Sequence, residues 1–117
     1  MNIEQFRKYC ISKKGVTEEF PFDNETLVFK VGSKIFALTN IEHFSSINLK
    51  CDPEQALLLR EQHDYVIPGY HMNKKHWNTI LISNNVSDKF IREWTDHSYH
   101  LVLKGLPKKE QAQISSL

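Results

Sequence analysis

The densest chemistry in the chain lies in Tyr70-His71-Met72-Asn73-Lys74-Lys75-His76-Trp77-Asn78, nine residues with two lysines, two histidines, two aromatic rings, two asparagines and no acid. Lysine and asparagine side chains hydrogen-bond phosphate oxygens and base edges, and an exposed tyrosine or tryptophan offers a base a stacking face. Between Val66 and Val86 two bases stand against no acids. Lys50 ahead of the segment, and Lys104, Lys108 and Lys109 behind it, extend this cationic surface if the fold brings them together. The same residue types also have a purely structural use. Trp77 at a strand start packs readily into a core, Lys74 and Lys75 suit a solvated edge, and His71 can bond its neighbours. Buried, the asparagines and histidines of the segment would need internal partners.

The remaining reactive side chains form no catalytic or metal-binding pattern. His71 and His76 are five apart, which suits neither one helix face nor one face of an unbroken strand. His97 and His100 are three apart, with no carboxylate or thiol completing a ligand set. Asp96 precedes His97, but adjacency in sequence does not bring two side chains together. Cys10 and Cys51 are the only cysteines and lack metal-type spacing, so they read as reduced core residues of a cytoplasmic protein. Gly-rich phosphate loops and nucleophile elbows are absent. The expectation is a non-enzymatic protein with no cofactor and no metal.

At 117 residues, with 40% hydrophobic and 25% charged side chains, the chain is expected to form a single domain over 1–117. Such a domain buries roughly 65% of its unfolded surface, enough for a core without disulfides. Fifteen Lys and Arg against 14 Asp and Glu leave a net charge of +1. That is too little for a strong overall field, so attraction to a phosphate backbone has to be local. The N-terminal residues hold no signal-like apolar run, and no window approaches the roughly 18 apolar residues of a membrane span. A soluble protein with no membrane partner follows as the expectation.

Helices and strands must position the segment. Asn2 is placed to cap a first helix carrying Ile3, Phe6 and Cys10, stopped by Gly15. Glu18–Glu25 holds four acids and no base and reads as a loop. Strands are predicted at Thr26–Val31 and Lys34–Thr39, joined by a type II′ turn at Gly32-Ser33. That turn predicts the pairs Val31 with Lys34, Phe29 with Phe36 and Leu27 with Leu38. It puts the four apolar residues of the last two pairs on the core side, and Val28, Lys30, Ile35 and Ala37 on the other. Ser46–Lys50 reads as a third strand. Asp52 caps a helix with Pro53 at its first position, running to about Gln62. Pro68-Gly69 breaks the next stretch, Trp77–Ile82 reads as a strand and Asn84-Asn85 as a turn. Ser87 or Asp88 caps a last long helix bearing Phe90, Ile91, Trp94, Tyr99, Leu101 and Val102, closed by Gly105 and Pro107. The tail, 108–117, is expected to be flexible. This order predicts an α+β fold, a two-layer sandwich with a single antiparallel sheet packed against helices.

Four stretches, in order and covering nearly the whole chain, resemble the MmcQ/YjbR family of small bacterial proteins, usually named as DNA-binding. They are Phe29-Lys30-Val31-Gly32-Ser33-Lys34-Ile35-Phe36-Ala37-Leu38, Leu49-Lys50-Cys51-Asp52-Pro53-Glu54, Pro68-Gly69 with Tyr70–Asn78, and Ser98-Tyr99-His100-Leu101-Val102 with Leu106-Pro107-Lys108-Lys109. The Tyr-His-Met-Asn-Lys-x-His-Trp-Asn run is the most specific of them, while Ser33 stands where a second glycine is common. The resemblance implies the same sandwich, similar to type III secretion chaperones, and a "double wing" DNA-binding role. On matching positions, Lys50, Tyr70, His71, Asn73, Lys74, Lys75, His76 and Asn78 become the residues for nucleic-acid contact. Lys108 and Lys109 match the family's basic C-terminal end. The expected function is weak binding of double-stranded DNA through the Tyr70–Asn78 loop and nearby lysines. Acids and bases mix on the last helix (Asp88, Glu93 and Asp96 beside Lys89 and Arg92), which argues against a major-groove recognition helix. The alternative is a protein-interaction or chaperone-like module that meets a protein partner through the second sheet face. The oligomeric state stays open.

Overall fold

Asn2 starts the first helix by a reciprocal cap: its side chain accepts from the Gln5 N–H at 2.8 Å, and the Gln5 side chain accepts from the Asn2 N–H at 2.9 Å. The computed structural model describes residues 1–82 and 86–117, so the turn expected at Asn84-Asn85 lies outside the described residues. The element order is α1 (Ile3–Ile11), β1 (Val16–Glu19), β2 (Thr26–Val31), β3 (Lys34–Asn40), β4 (Ser46–Lys50), α2 (Pro53–Gln62), β5 (Val66–Pro68), β6 (Trp77–Leu81), α3 (Asp88–Lys104) and α4 (Lys108–Ser115). The strands form one six-stranded sheet in the order β1-β2-β3-β4-β6-β5, antiparallel throughout. Leu27, Phe29, Val31, Ile47, Leu49 and Ile80 share one sheet face. They join Phe6 and Cys10 of α1, Ala56 and Leu59 of α2, Ile91 and Val102 of α3 and Ile114 of α4 in one core. All four helices therefore cover the same side, giving the α+β two-layer sandwich.

The hairpin keeps its expected register only next to the turn. Gly32 takes φ +57°, and Val31 pairs with Lys34. Beyond that, Phe36 is an extra residue on β3, so Phe29 pairs with Ala37 and Leu27 with Thr39, each one step from expectation. A bulge of this kind turns two consecutive side chains toward one side. Phe36 and Ala37 are accordingly both fully buried in the core, and Leu38 moves to the outer face with Val28. Ser98 of α3 accounts for the bulge. Its hydroxyl donates to the Phe36 carbonyl at 2.5 Å and accepts from the Lys50 N–H at 2.9 Å, standing between β3 and β4.

Two further elements differ from expectation. Glu18 and Glu19 belong to β1 rather than to a loop, because each acid has a cationic partner. Arg7 of α1 donates from Nε to Glu18 Oε2 at 2.7 Å and from its NH2 group to Oε1 at 2.5 Å, and the Lys30 ammonium lies 2.6 Å from Glu19. The tail is helical rather than flexible: α4 buries Ile114, and Glu110 accepts from the backbone N–H of Ser33 at 3.1 Å and from its hydroxyl at 3.2 Å. A Cβ on Gly32 would meet Leu106 Cδ1 at 2.9 Å, so the tight β2–β3 turn is also the seat of the α3–α4 corner. Successive strands alternate in direction. The β2–β3 turn, Lys50 at the end of β4 and the segment entering β6 at Trp77 therefore lie at one end of the sheet.

Candidate nucleic-acid interface

The segment 69–76 joins the two outermost strands on one side of the sheet, and its conformation is over-determined by hydrogen bonds. It opens at Gly69, where a Cβ would come within 2.8 Å of Trp77 Cβ; the strands can approach this closely only because no side chain is there. The Gly69 N–H donates to the Trp77 carbonyl at 2.9 Å and the Tyr70 N–H to Thr79 Oγ1 at 2.9 Å. Asn73 then caps a tight turn, its Oδ1 accepting from the N–H groups of Lys75 at 2.9 Å and His76 at 3.3 Å. The His76 carbonyl accepts from the Cys51 N–H at 2.7 Å, tying the loop to the end of β4.

A residue outside the segment holds it from below. Arg60, on α2, donates from Nε to Asn78 Oδ1 at 2.7 Å and from its NH2 group to the carbonyls of Trp77, at 3.2 Å, and Lys74. Asn78 is 2% exposed, and its amide also donates to the Ala56 carbonyl at 3.4 Å. Asn78 thus works inward, locking β6 to α2. Sequence reasoning passed over Arg60, and the available cue was the need of a buried Asn78 for a partner.

The other expected contact residues separate by direction. Tyr70 is 66% exposed, and His71 lies against it with ring centroids 4.1 Å apart. His71 has φ +58°, the one non-glycine residue with positive φ among the described residues. Lys74 and Lys75 are exposed, although the Lys74 ammonium donates to the Gly69 carbonyl at 3.1 Å. His76 and Lys50 are half-buried; the register pairs Lys50 with Trp77, so both side chains belong to the sheet face away from the helices. Lys108 and Lys109 are exposed at the start of α4, beside the β2–β3 turn. They share the loop's end of the sheet but stand roughly 14 Å along it, three strand spacings away. Among the described residues no three His, Cys, Asp or Glu side chains gather as metal ligands. Cys10 and Cys51 are free and buried; burial, with Asp52 adding to it, pushes the Cys51 thiol up to about 11. No helix among the described residues is long and apolar enough to cross a membrane.

The family model described as YjbR matches residues 11–101, which include the whole loop, Arg60 and the Ser98 bridge. The chain belongs to the YjbR family. Among its YjbR relatives, the uncharacterised protein YjbR of Escherichia coli K12 is 32% identical over the full length of both chains. Uncharacterised protein YbdF of Escherichia coli O157:H7 is 40% identical over 81% of this chain and 79% of its own. Uncharacterised protein YyaQ of Bacillus subtilis is 38% identical over 84% of this chain and 95% of its own. The fold is that of solved YjbR-like structures. The Deinococcus radiodurans protein DR2400, a DUF419 domain, superposes with a TM-score of 0.90 at 39% identity, covering 97% of this chain and 88% of that one. A crystal structure of a Pseudomonas syringae protein gives a TM-score of 0.72 at 29% identity, over 86% and 98% of the two chains.

Proposed function

We propose that this YjbR-family chain is a non-enzymatic protein that binds DNA weakly through the outward side of the Tyr70–Asn78 loop. The observation that carries this reading is the division of labour in the loop. Asn73 and Asn78 are spent on internal bonds, while Tyr70, His71 and Lys75 are left on the surface of a segment without an acid, beside an exposed Lys74 that gives one of its three donors to the Gly69 carbonyl. An aromatic pair flanked by two cations is the combination that stacks on bases and contacts phosphates. His71 adds support: a left-handed backbone at a non-glycine residue costs on the order of 1 kcal/mol, and such strain is concentrated at functional sites. A cytoplasmic location fits the two free thiols.

Fluorescence anisotropy of a labelled short duplex, and of one of its strands, tests this at low and moderate salt. The wild type should bind with a salt-sensitive affinity. Lys74→Glu/Lys75→Glu, checked by circular dichroism to remain folded, should lose about tenfold or more. Absence of binding to either nucleic acid at low salt and high protein concentration refutes the proposal. The interaction-module alternative has less to stand on at the sheet face it invokes. Val28 is fully buried, Ala37 faces the helices, and Ile35 and Leu38 are half-buried. Among the described strand residues of that face, Leu81 is the one exposed large apolar side chain, at 38%.

A further inference from the structure

On the helix side of the sheet, α3 packs over β3 and β4 while α2 packs toward β5, and the two helices leave a cleft of about 530 Å³ between them. Its floor is Leu49, Ile80 and the buried Asn78 amide, and its walls are Leu59 of α2 with Trp94 and Leu101 of α3. One hydrogen bond spans the mouth, from the Asp52 N–H to His97 Nε2 at 3.3 Å. The volume falls inside the range of small-molecule sites, and a mostly apolar floor with a few polar groups at the rim is their usual composition.

The sign of the rim narrows the ligand. Lys50 borders the cleft, but strand alternation directs its side chain to the opposite sheet face, beside Trp77. Among the lining residues, the ionised side chains left on the helix side are the carboxylates of Asp52 and Glu93; the Arg60 guanidinium, bonded to Asn78 Oδ1 and to the loop carbonyls, is not part of the lining. Asp52 Oδ2 accepts from the Gln55 N–H at 3.2 Å, and Glu93 has only a long 4.0 Å contact with Lys89, with half of its side chain in solvent. Among the described residues neither carboxylate has a cation in hydrogen-bond contact, and the wall includes the indole of Trp94, stacked on Phe90 with ring centroids 5.2 Å apart and of the kind that attracts a positive charge.

We infer that the α2–α3 cleft is a binding site for a small organic cation, an aromatic or aliphatic body seated over Leu49, Ile80 and Trp94 with its ammonium toward Asp52 and Glu93. The site is separate from the proposed DNA surface, since its charge would repel a phosphate. A pair of probes with one ring and opposite charge tests it. Tryptamine and indole-3-acetate are titrated at millimolar concentration into isotope-labelled protein and followed by amide chemical shifts, with phenethylamine as a second amine. The expected result is saturable shifts at Leu49–Gln55 and Glu93–Leu101 with the amines, and at least about tenfold weaker binding of the acid. Glu93→Gln, a change at a solvent-facing position, should weaken amine binding several-fold while leaving the spectrum otherwise intact. Saturable binding by neither amine, or shifts scattered away from the cleft, overturns the site. Equal or tighter binding of the acid overturns the ligand class.

Discussion

Arg60 shows how much of a recognition loop can depend on a residue outside it. Its guanidinium meets two backbone carbonyls of the loop and the side chain of Asn78, three acceptors that a planar fork satisfies together and a single ammonium does not. Removing it leaves Asn78 Oδ1 short of a donor in a buried place, while the Trp77 carbonyl keeps the Gly69 N–H and the exposed Lys74 carbonyl turns to water. Arg60→Ala should therefore cost about 2–3 kcal/mol of stability. Hydrogen exchange measured residue by residue should show faster exchange at the Lys75, His76 and Trp77 amides, and Arg60→Lys should recover less than half of the lost protection. Unchanged loop exchange in Arg60→Ala would show that Asn73 alone organises the turn. This anchoring was only half legible in the sequence. The motif stood out because its polar residues lack acids, but inward Asn78 and outward Lys75 are the same kind of residue on paper. Only the geometry of α2, 18 positions away from Asn78, separates them.

At the scale of elements, what could be read from sequence was what neighbouring residues decide. The caps at Asn2 and Asp52 and the pair Val31 with Lys34 follow from residues close in the chain, and all three are present. The bulge at Phe36 depends on Ser98, 62 positions on, and β1 depends on cations at Arg7 and Lys30 that neutralise its acids. Neither contact leaves a local trace. The packing of α1 on α3 has a similar long-range tie, and it makes a pH-dependent prediction. Asp96 of α3 accepts from Tyr9 Oη at 2.5 Å and from the Lys13 ammonium, which also lies 4.7 Å from the Tyr9 ring centroid. Partial burial would raise the Asp96 pKa, but hydrogen bonds from Lys13 and Tyr9 and the Lys13 charge outweigh it, and the net shift is downward. A carboxylate with a lowered folded-state pKa contributes stability above its ordinary value of about 4 and loses it as the pH falls through the lowered one. Burial and the bond to Asp96 push Tyr9 up to about 12, so its contribution holds below about 10 and fades only as the pH rises through the folded value. Asp96→Asn should melt a few degrees lower at neutral pH, about 1 kcal/mol after allowing for a side chain 40% exposed. Thermal melts below pH 4 should show the two proteins converging. A gap that stays constant with pH would assign the effect to packing rather than to charge.

Over the whole molecule, a net charge of +1 conceals an uneven layout. Lys50, Lys74 and Lys75 lie toward one side of the loop-bearing end of the sheet, and Lys108 and Lys109 toward the other. Asp52 and Glu54 at the start of α2 and Glu110, tied to Ser33, interrupt the row. Along the sheet the loop lysines stand roughly 14 Å from the β2–β3 turn that Lys108 and Lys109 flank, beyond the screening length of about 10 Å in 0.1 M salt, whereas Lys50 on β4 is roughly 7 Å from it. Lys74 and Lys75 therefore reinforce the α4 lysines little through space. A rigid duplex lying along that end could still touch both. If it touches three or so phosphates, log K against log salt should have a slope of about −3, and each contact removed should flatten it by about 0.9. Lys108→Glu/Lys109→Glu lies on an exposed helix start away from the loop, so the fold and the Tyr70–Asn78 conformation should survive it. The expected outcome is a slope flatter by about one to two units, about 0.9 for each of the two lysines that meets a phosphate, with loop-dependent binding retained, which would make the interface an end-on surface spanning both groups. An unchanged slope in this variant, together with a flattened one in Lys75→Glu, would confine recognition to the loop and leave the basic start of α4 as a solvated helix terminus.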